Sequence, residues 1–373
     1  MRWCRKCVET DTRPSMVFDD EDVCRPCRYV ESLKKVDWDE RLKILKDIVQ
    51  WGKENSTAGY DCIIGVSGGK DSTRQALFAR DLGLKPLLVC CAYPPEEMTR
   101  RGARNLGNLI SLGFDTIVTA PAPQISKALM KNCFYKFGNL FNATELALYS
   151  SLPIVAIAYR VPLILLGENP GLAFGNDVAS DNYDGNRMKY MNTLQGGNPD
   201  LFKLDWMQDN DLYLYRYPSD ADMERAGLRI VYLGYFIPDF NDHTNTKTAV
   251  ENGLEVREGG DANPEDIGGI ANSVALDDDF VIVNQMLKYM KFGFGKATQE
   301  VGVAIRYGEM SREEGVRIVR QFDGKCAERY VKKFADYIGI TNQEFWMVAE
   351  SFRNKELFEK DAHGNWKLKQ EVQ

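Results

Sequence analysis

The chain has 373 residues, of which 44% are hydrophobic, and its formal net charge is -7. This length and composition are typical of a globular protein with two or three domains, and the acidic balance argues against a generally basic nucleic-acid-binding surface. The most apolar window, residues 152–166, contains two prolines and an arginine and is shorter than the roughly 18 to 20 apolar residues of a membrane-spanning helix. Charged residues also stand where a signal peptide would have its apolar core. We therefore expect a cytoplasmic protein with no membrane span and no nucleic-acid partner.

Four cysteines near the amino terminus form two C-x2-C pairs, which are separated by sixteen residues: Cys4, Cys7, Cys24 and Cys27. This spacing is typical of a tetrahedral zinc site, in which each pair presents two thiolates to one ion. Because four thiolates leave no open coordination position, we predict a structural Zn²⁺ in a module over residues 1–36. The alternative is a pair of disulfides, which a cytosolic environment disfavours.

A helix that Asp37 is expected to cap follows this module. A β-branched run at Cys62–Val66 then predicts a buried strand, and an amphipathic helical pattern begins a few residues later. Two adjacent glycines between strand and helix allow positive φ and a close approach of the backbone to an anion, which the helix N-terminus also favours. The alternative is a tight turn before a surface helix. We predict phosphate binding by Ser67, Gly68, Gly69, Lys70, Asp71 and Ser72.

This six-residue loop resembles the SGGxDS loop of the PP-loop ATP pyrophosphatases, a superfamily that includes GMP synthetase, NAD synthetase, asparagine synthetase and tRNA-thiolating enzymes. It differs from a Walker A loop, which has four residues between its first glycine and the Gly-Lys pair. The resemblance implies that ATP binds here and is cleaved between its α and β phosphates. We assign Ala92, at the end of the second predicted strand, to the same cofactor site.

Three further buried strands are predicted at Pro86–Ala92, Thr116–Thr119 and Leu163–Leu166, with helical patterns between them. This alternation predicts an α/β fold with a doubly wound parallel sheet, which the resemblance implies is of the PP-loop, or adenine nucleotide alpha hydrolase-like, type. Ligands of such sheets bind outside the carboxyl ends of the strands, so we expect Glu168 beside the phosphate loop. By analogy with NAD synthetase, Asp71 and Glu168 are predicted to bind Mg²⁺. The alternative is that Glu168 caps a helix.

The second half of the chain is predicted to contain long loops followed by helices. Residues 171–211 are rich in Gly, Asn and Asp with interspersed aromatics, which predicts a lid, a binding loop or a disordered segment. Arg229–Phe236 is predicted as a fifth strand, residues 239–272 as a loop, and the chain from Asp277 onward as helical. We predict three domains: the zinc module 1–36, an ATP-binding α/β domain 37–240, and a mainly helical region 241–373 for substrate or partner binding.

Two features of the helical region point to a ligand. Asp277 and Asp278 precede a helix, where they either contact substrate or cap the helix N-terminus. The segment KFGFGKAT (residues 291–298) has two glycines that interrupt a helical pattern beside Lys291 and Lys296. We predict that this segment lets the backbone approach a ligand or binds an anion.

Over nearly its full length the sequence resembles the N-acetyl sugar amidotransferases of bacterial surface-glycan synthesis, which make acetamidino groups on O-antigen sugars and on pseudaminic or legionaminic acids. Lys296 stands where the family usually has arginine, and Phe174 where tyrosine is common. Besides the cysteine pairs and SGGKDS, the resemblance rests on Trp38 with Arg41, Thr99 with Gly102 and Asn105, GENPGLAFGN (167–176), YLGYF (232–236), Asp277-Asp278, KFGFGKAT and AIRYGEMSREEGV (304–316).

The resemblance implies the chemistry. The amide oxygen of an acetamido sugar, either nucleotide-linked or a nonulosonic acid, would attack the α-phosphate of ATP, and ammonia would then displace AMP to give an acetamidino group. Lys70, Asp71 and Glu168 are expected to be catalytic, with ATP, Mg²⁺ and structural Zn²⁺ as cofactors. Substrate contacts are expected from Asn105, Asn169, Asn176, Asp277, Asp278, Lys291, Lys296 and Arg306.

The source of ammonia is predicted to be a separate protein. A glutaminase needs a cysteine with a histidine and a carboxylate, or a processed N-terminal cysteine, and neither His243 nor His363 lies in a glutaminase motif. The family resemblance implies partners similar to the glutaminase and cyclase subunits of imidazole glycerol phosphate synthase.

Two other functions are open to this sequence. Some tRNA-thiolating pyrophosphatases also carry Cys4 modules, but the five remaining cysteines contain no C-x2-C pair and the acidic chain is unsuited to tRNA. A non-catalytic nucleotide sensor or scaffold is the third reading. Release of pyrophosphate with an acetamido sugar separates the amidotransferase from both.

Overall fold

The computed structural model describes residues 1–175 and 181–373, so the predicted substrate residue Asn176 lies outside the described residues. A five-stranded parallel sheet forms the centre of the fold, in the order β3-β2-β1-β4-β5. Its strands are β1 (Cys62–Gly65), β2 (Pro86–Cys91), β3 (Thr116–Thr119), β4 (Leu163–Leu166) and β5 (Arg229–Tyr232).

Helices connect and flank these strands, and a short antiparallel hairpin lies near the carboxyl terminus. In chain order the helices before β5 are α1 (Arg25–Leu33), α2 (Trp38–Asn55), α3 (Lys70–Asp81), α4 (Arg100–Ser111), α5 (Pro123–Phe137), α6 (Asn142–Tyr159), α7 (Pro170–Phe174) and α8 (Asp220–Arg225). After β5 come α9 (Asp242–Glu251), α10 (Pro264–Ile267), α11 (Phe280–Phe292), α12 (Lys296–Arg306), α13 (Arg312–Phe322), α14 (Glu328–Ile338), α15 (Asn342–Ser351) and the hairpin β6 (Phe358–Lys360) and β7 (Trp366–Leu368).

Alternate residues of the strands pack into two hydrophobic clusters on opposite faces of the sheet. Ile63 and Leu87 belong to the cluster that contains α5 and α6, whereas Ile64 and Leu88 belong to the cluster that contains α2, α3 and α4. Since strand side chains alternate between faces, both faces of the sheet are covered by helices. This arrangement confirms the predicted α/β class and the parallel sheet.

The prediction of a loop over residues 239–272 is wrong for α9 and α10. Helix α9 has mostly polar side chains and buries only Asn245 and Ala249. Its sequence therefore shows no amphipathic pattern. Asn241 caps α9 by accepting a hydrogen bond from the Thr244 N–H, and α9 packs against α3. The fifth strand is also shorter than predicted, since Leu233–Phe236 forms a 3₁₀ turn.

The described part of the predicted 171–211 loop is a packed segment of short helices. After α7, 3₁₀ helices occupy Met188–Tyr190, Gln195–Gly197, Pro199–Phe202 and Asp209–Tyr215. Met188, Leu194, Phe202 and Leu212 are buried in the same cluster as α5 and α6. Elements of three to seven residues are too short to show a helical period, so the sequence pattern suggested a loop.

The C-terminal helices largely follow the predicted pattern. The hydroxyls of Ser311 and Thr341 cap α13 and α15 by accepting hydrogen bonds from backbone N–H groups in the first turn. Gly339 ends α14 in a left-handed conformation. The two glycines of KFGFGKAT separate α11 from α12, since Gly293 ends one helix and Gly295 caps the next. No described helix is long and apolar enough to cross a membrane.

The amino-terminal module packs against these C-terminal helices. Arg312 donates to the carbonyl oxygens of Cys7 at 3.0 Å and Cys4 at 3.2 Å. The Trp3 indole N–H donates to the carbonyl oxygen of Gln370 at 3.0 Å. Val8 is buried in one cluster with side chains of α12 and α13. The three proposed domain boundaries stay a prediction.

Candidate active site

The order of the strands reverses between β1 and β4, and the segments after these two strands meet. Lys70 and Asp71 follow β1, Glu168 follows β4, and all three line one cavity of about 250 Å³, which we call the central cavity. The crevice at such a reversal is the usual ligand site of open α/β sheets. The structure therefore brings together the three residues that the sequence predicted to be catalytic.

The two glycines of the phosphate loop have different roles. Gly68 has φ +87°, and a Cβ at this position would lie 2.7 Å from the Leu106 backbone nitrogen of α4. Gly69 has φ -79° and is the N-cap of α3. Gly68 uses the positive φ that glycine allows and is required by the close approach of α4, whereas Gly69 has a negative φ that other residues also adopt. The start of α3 is thereby held at the sheet edge, where its free N–H groups favour an anion.

The hydroxyl groups of the loop form hydrogen bonds with its own backbone. The Gly69 N–H donates to Ser67 Oγ at 3.4 Å, and the Ser72 hydroxyl donates to the Gly69 carbonyl oxygen at 3.0 Å. A second cavity, of about 230 Å³, is lined by residues 67–71 and by Asn105, and we call it the loop cavity. Lys70, Asp71 and Lys296 line both the loop cavity and the central cavity.

Lys70 is buried between two carboxylates. Its ammonium lies 2.6 Å from Asp71 Oδ2 and 3.0 Å from Asp242 Oδ1, and the Asn245 amide donates to Asp71 Oδ1 at 2.8 Å. Burial alone would lower the pKa of Lys70, but the two carboxylates outweigh it and raise the pKa above its ordinary value. Asp242 and Asn245 are not among the predicted site residues, because the polar sequence of α9 is typical of a loop. The available signal was Asn241 in N-cap position before them.

Glu168 carries a carboxyl group suited to titrate near neutrality. Burial and, next, the charge of Asp71 raise its pKa to about 7. Two carboxylates that line one cavity fit a divalent cation with oxygen ligands. Magnesium sites commonly use one or two carboxylates and complete the shell with phosphate and water. Asp71 and Glu168 would hold Mg²⁺ in this way.

We expect the apparent affinity for Mg²⁺, measured by calorimetry with a non-hydrolysable ATP analogue, to rise between about pH 6 and about pH 8. Only the ionised form of Glu168 is a ligand, so each pH unit below its pKa should weaken binding about tenfold. Glu168→Gln should bind Mg²⁺ more weakly and lose this pH dependence. Glu97→Gln is the control, because burial raises the pKa of Glu97 to about 7 outside the central cavity. An unchanged pH profile in Glu168→Gln would contradict this role.

Other residues that were predicted to contact substrate form hydrogen bonds within the protein. The Asn105 amide donates to the Glu255 carbonyl oxygen at 2.9 Å and accepts the Glu255 N–H at 2.8 Å. Asn169 caps α7 by accepting the Gly171 N–H at 2.8 Å. Each amide nevertheless lines a cavity, Asn105 the loop cavity and Asn169 the central one.

Asp277, Asp278 and Ala92 are not equivalent in position. Asp277 lines the loop cavity, and burial raises its pKa to about 6. Asp278 is fully buried and lines neither cavity, and it accepts the Phe280 N–H at 2.7 Å from the position before Asp279, the N-cap of α11. Ala92 lines a separate small cavity with Glu97 and Tyr215, and its assignment to the cofactor site stays a prediction.

The three predicted basic residues lie around the cavities. Lys296, 3.6 Å from Glu300 Oε1, lines both the central and the loop cavity. Arg306 lines the central cavity and donates to Cys7 Sγ at 3.7 Å. Lys291 lies farther away and donates to the Phe137 carbonyl oxygen at 2.6 Å.

The four N-terminal cysteines form a compact buried cluster. Their sulfur atoms lie within 4.8 Å of one another, with Cys4 to Cys27 at 3.9 Å and Cys7 to Cys24 at 3.6 Å. Sulfurs of a zinc tetrahedron with bonds of about 2.3 Å lie about 3.8 Å apart, so these residues fit a structural Zn²⁺. Backbone N–H groups of Glu9 and Cys24 donate to two of the sulfurs. Within residues 1–175 and 181–373, no other group of three or more Cys, His, Asp or Glu side chains is as close.

Comparison with known proteins bears on the C-terminal part of the chain. Residues 275–373 match the family model described as LPS biosynthesis protein WbpG-like, C-terminal domain. A search of curated proteins found no match. The matched region contains α11–α15, with Lys296 and Arg306 of the central cavity, and does not extend to the phosphate loop. The match supports an enzyme of lipopolysaccharide or related glycan biosynthesis.

Proposed function

We propose that the chain is an ATP-dependent amidotransferase that converts an acetamido group of a bacterial surface-glycan sugar to an acetamidino group. The observation that carries this proposal is the meeting of the phosphate loop and Glu168 at the reversal of the strand order. Helix α3 points its N-terminus at this point, and Lys70, Asp71 and Lys296 join the loop cavity to the central cavity. The arrangement gives a nucleoside triphosphate and a second substrate adjacent places.

The reaction divides into two displacements. The amide oxygen attacks the α-phosphorus of ATP, an oxygen–phosphorus bond forms, and the bond to the bridging oxygen breaks as pyrophosphate leaves. Ammonia then attacks the activated carbon, the carbon–oxygen bond breaks, and AMP leaves with that oxygen. The amidine keeps the proton as an amidinium ion. Neither step needs a nucleophilic side chain, so positioning and charge stabilisation are the tasks of the protein.

The charged residues of the central cavity and their hydrogen-bond partners have places in this scheme. Lys70 and the N–H groups at the start of α3 would neutralise phosphate oxygens, while Asp71 and Glu168 would hold Mg²⁺, which supplies charge stabilisation on the phosphates. Asp242 and Asn245 orient Lys70 and Asp71 through the contacts described above. Lys296 and Arg306 add positive charge to the lining of the central cavity.

The zinc module supports this site from outside the sheet. Pro26, Tyr29 and Leu33 of α1 line the central cavity, and Arg41 packs over the ring of Tyr235 at 3.6 Å on the same side. The closed tetrahedral site therefore has a structural task, since it fixes the helix that forms one wall.

We expect the purified chain to form product with ATP, Mg²⁺ and high ammonium at alkaline pH, and not with glutamine until a separate glutaminase is added. A panel of acetamido sugars should show by mass spectrometry a loss of about one mass unit, because NH replaces oxygen, together with release of AMP and pyrophosphate. The reason is the absence of a glutaminase motif in the sequence. Formation of product from glutamine by the purified chain alone would refute the prediction of a separate glutaminase. If no sugar of the panel led to release of pyrophosphate, the proposed amidotransferase activity would be refuted.

A further inference from the structure

One charged side chain connects the cluster of four thiols with the central cavity. Arg306, in the last turn of α12, lines the central cavity, and its Nη1 atom donates to Cys7 Sγ at 3.7 Å. The other N–H groups that donate to these sulfurs, among the described residues, are the backbone groups of Glu9 and Cys24. In the described part of the chain, Arg306 is therefore the one charged donor to the cluster.

The local structure of α12 makes this contact possible. Long side chains of a helix point back toward the preceding turn, and the residue four positions before Arg306 is Gly302. A Cβ atom at Gly302 would lie 3.2 Å from Arg306 Nη1, so the glycine leaves room for the guanidinium. Lys296, Gln299 and Val303, which precede Arg306 at helical spacing, line the same cavity. Helix α12 thus places Arg306 where it contacts both the cavity and Cys7.

The charges around Arg306 show which group compensates it. No carboxylate of the described residues forms an ion pair with its guanidinium, and Glu9, the acid closest to Cys7 in the sequence, accepts instead from Arg13 at 3.0 and 3.2 Å. Four thiolates around one Zn²⁺ carry about two net negative charges. Buried charges are costly unless an opposite charge compensates them. The thiolates of the zinc site therefore supply the counter-charge of Arg306, and Arg306 supplies part of theirs.

The charge of Arg306 also acts on the central cavity. Burial alone would raise the pKa of Asp242, but three cations that line the cavity outweigh it and lower the pKa: Lys70, Lys296 and Arg306. Asp242 is the carboxylate that lies 3.0 Å from the Lys70 ammonium. A guanidinium has five N–H donors in a planar fork, so the contact with one sulfur leaves donors for a second partner.

We propose that the zinc centre is coupled to nucleotide binding in the central cavity through Arg306. The zinc thiolates hold the guanidinium at the cavity wall, where its remaining N–H groups bind a phosphate oxygen of the nucleotide. A bound nucleotide in turn restrains Arg306 beside Cys7 Sγ, so it strengthens zinc binding. By thermodynamic linkage, zinc strengthens nucleotide binding by the same factor. This inference rests on the proposed function for the presence of a nucleotide, but it does not require that an amidine is formed.

The test measures zinc affinity and needs no turnover. Zinc affinity would be determined by competition with a colorimetric chelator, with and without a non-hydrolysable ATP analogue that is kept saturated with Mg²⁺. In the wild type we expect the analogue to raise zinc affinity about fivefold or more. Arg306→Gln should bind zinc about tenfold more weakly, because it removes a hydrogen-bonded partner of a ligand sulfur. The analogue should no longer change the zinc affinity of this variant.

Arg312→Gln is the matched control. Arg312 also donates to the cysteine loops, but to the carbonyl oxygens of Cys7 and Cys4 rather than to sulfur, and it does not line the central cavity. This variant should keep the gain in zinc affinity that the analogue produces. Thermal unfolding shows whether Arg306→Gln keeps its fold. If it does not, Arg306→Lys is measured, and the gain should shrink because one compact ammonium cannot contact both sulfur and phosphate.

Three results would overturn the inference. They are a wild-type zinc affinity in Arg306→Gln, an equal gain from the analogue in Arg306→Gln and wild type, and no gain in wild type although calorimetry shows that the analogue binds. An unchanged gain in Arg306→Lys would count in the same way. A wild type that binds no analogue would contradict the proposed function, and the zinc affinity of Arg306→Gln alone would then decide the role of the contact with Cys7. Coupling without pyrophosphate release would contradict the amidotransferase and support the link through Arg306.

Discussion

Asp71→Asn is expected to lower ATP-dependent pyrophosphate release by about a hundredfold or more, because it removes the charge that faces Lys70 and that would hold the proposed Mg²⁺. The amide keeps the size of the side chain and can still accept the hydrogen bond from Asn245. The fold should therefore persist, which a thermal unfolding curve would show. Pyrophosphate would be measured over a range of Mg²⁺ concentrations, with an acetamido sugar and ammonium present.

Asp81→Asn, at the exposed opposite end of α3, is the matched control and should keep wild-type turnover. Normal turnover by Asp71→Asn across the Mg²⁺ range would remove Asp71 from the metal site. Lys70→Ala should lose activity as well. Lys70 also has a role within the protein, because its ammonium is buried between two carboxylates. This variant should also lose stability, because Asp71 and Asp242 would be left without their ammonium partner.

Cys27→Ser is expected to release the metal and to lower the unfolding temperature by roughly 5 °C or more, given that each kcal/mol lost lowers the Tm of a large domain by roughly 2–4 °C. Zinc affinity is coupled to the fold of a small module, and three thiolates hold the ion poorly. Since α1 lines the central cavity, activity should fall too. Metal content by atomic spectroscopy and the unfolding curve are the measurements.

Cys326→Ser is the control for this experiment, because Cys326 is half-buried and outside the cluster of four thiols. It should keep its metal and its activity. A well-folded, zinc-free Cys27→Ser protein with full activity would show that the module has no structural task.

The parts of the fold that could be predicted from the sequence are those with a strong local signal. Thr116–Thr119 and Leu163–Leu166 were predicted with their observed bounds, because short runs rich in apolar residues are bounded by turn residues. The cysteine spacing also predicted the compact cluster of four sulfur atoms, since each C-x2-C pair is local in sequence. The start of α3 followed from a strand, two glycines and a helical pattern in direct succession.

The parts that could not be predicted depend on contacts between distant segments. Asp242 lies 3.0 Å from the Lys70 ammonium, and no local pattern relates two residues so far apart in the chain. Lys288 belongs to an ordinary helical pattern, so only the packing around α11 shows that its side chain lines a cavity. Asn105 shows the reverse, since its predicted substrate-binding amide forms two hydrogen bonds with the Glu255 backbone.

The contact between the amino-terminal module and α13 has a consequence for the order of folding. Arg312 and Cys7 are separated by 305 residues, so their hydrogen bond cannot form until most of the chain has been synthesised. Each cysteine pair is local in sequence and is available to an ion early in synthesis. The five strands of the central sheet also precede α13 in the chain. Helix α1 itself packs against α7, so the wall that it gives to the central cavity depends on the middle of the chain as well as on α13. We therefore expect a chain that ends before α13 to lack the hydrogen bonds that hold the cysteine loops against the C-terminal helices, even where the sheet has formed.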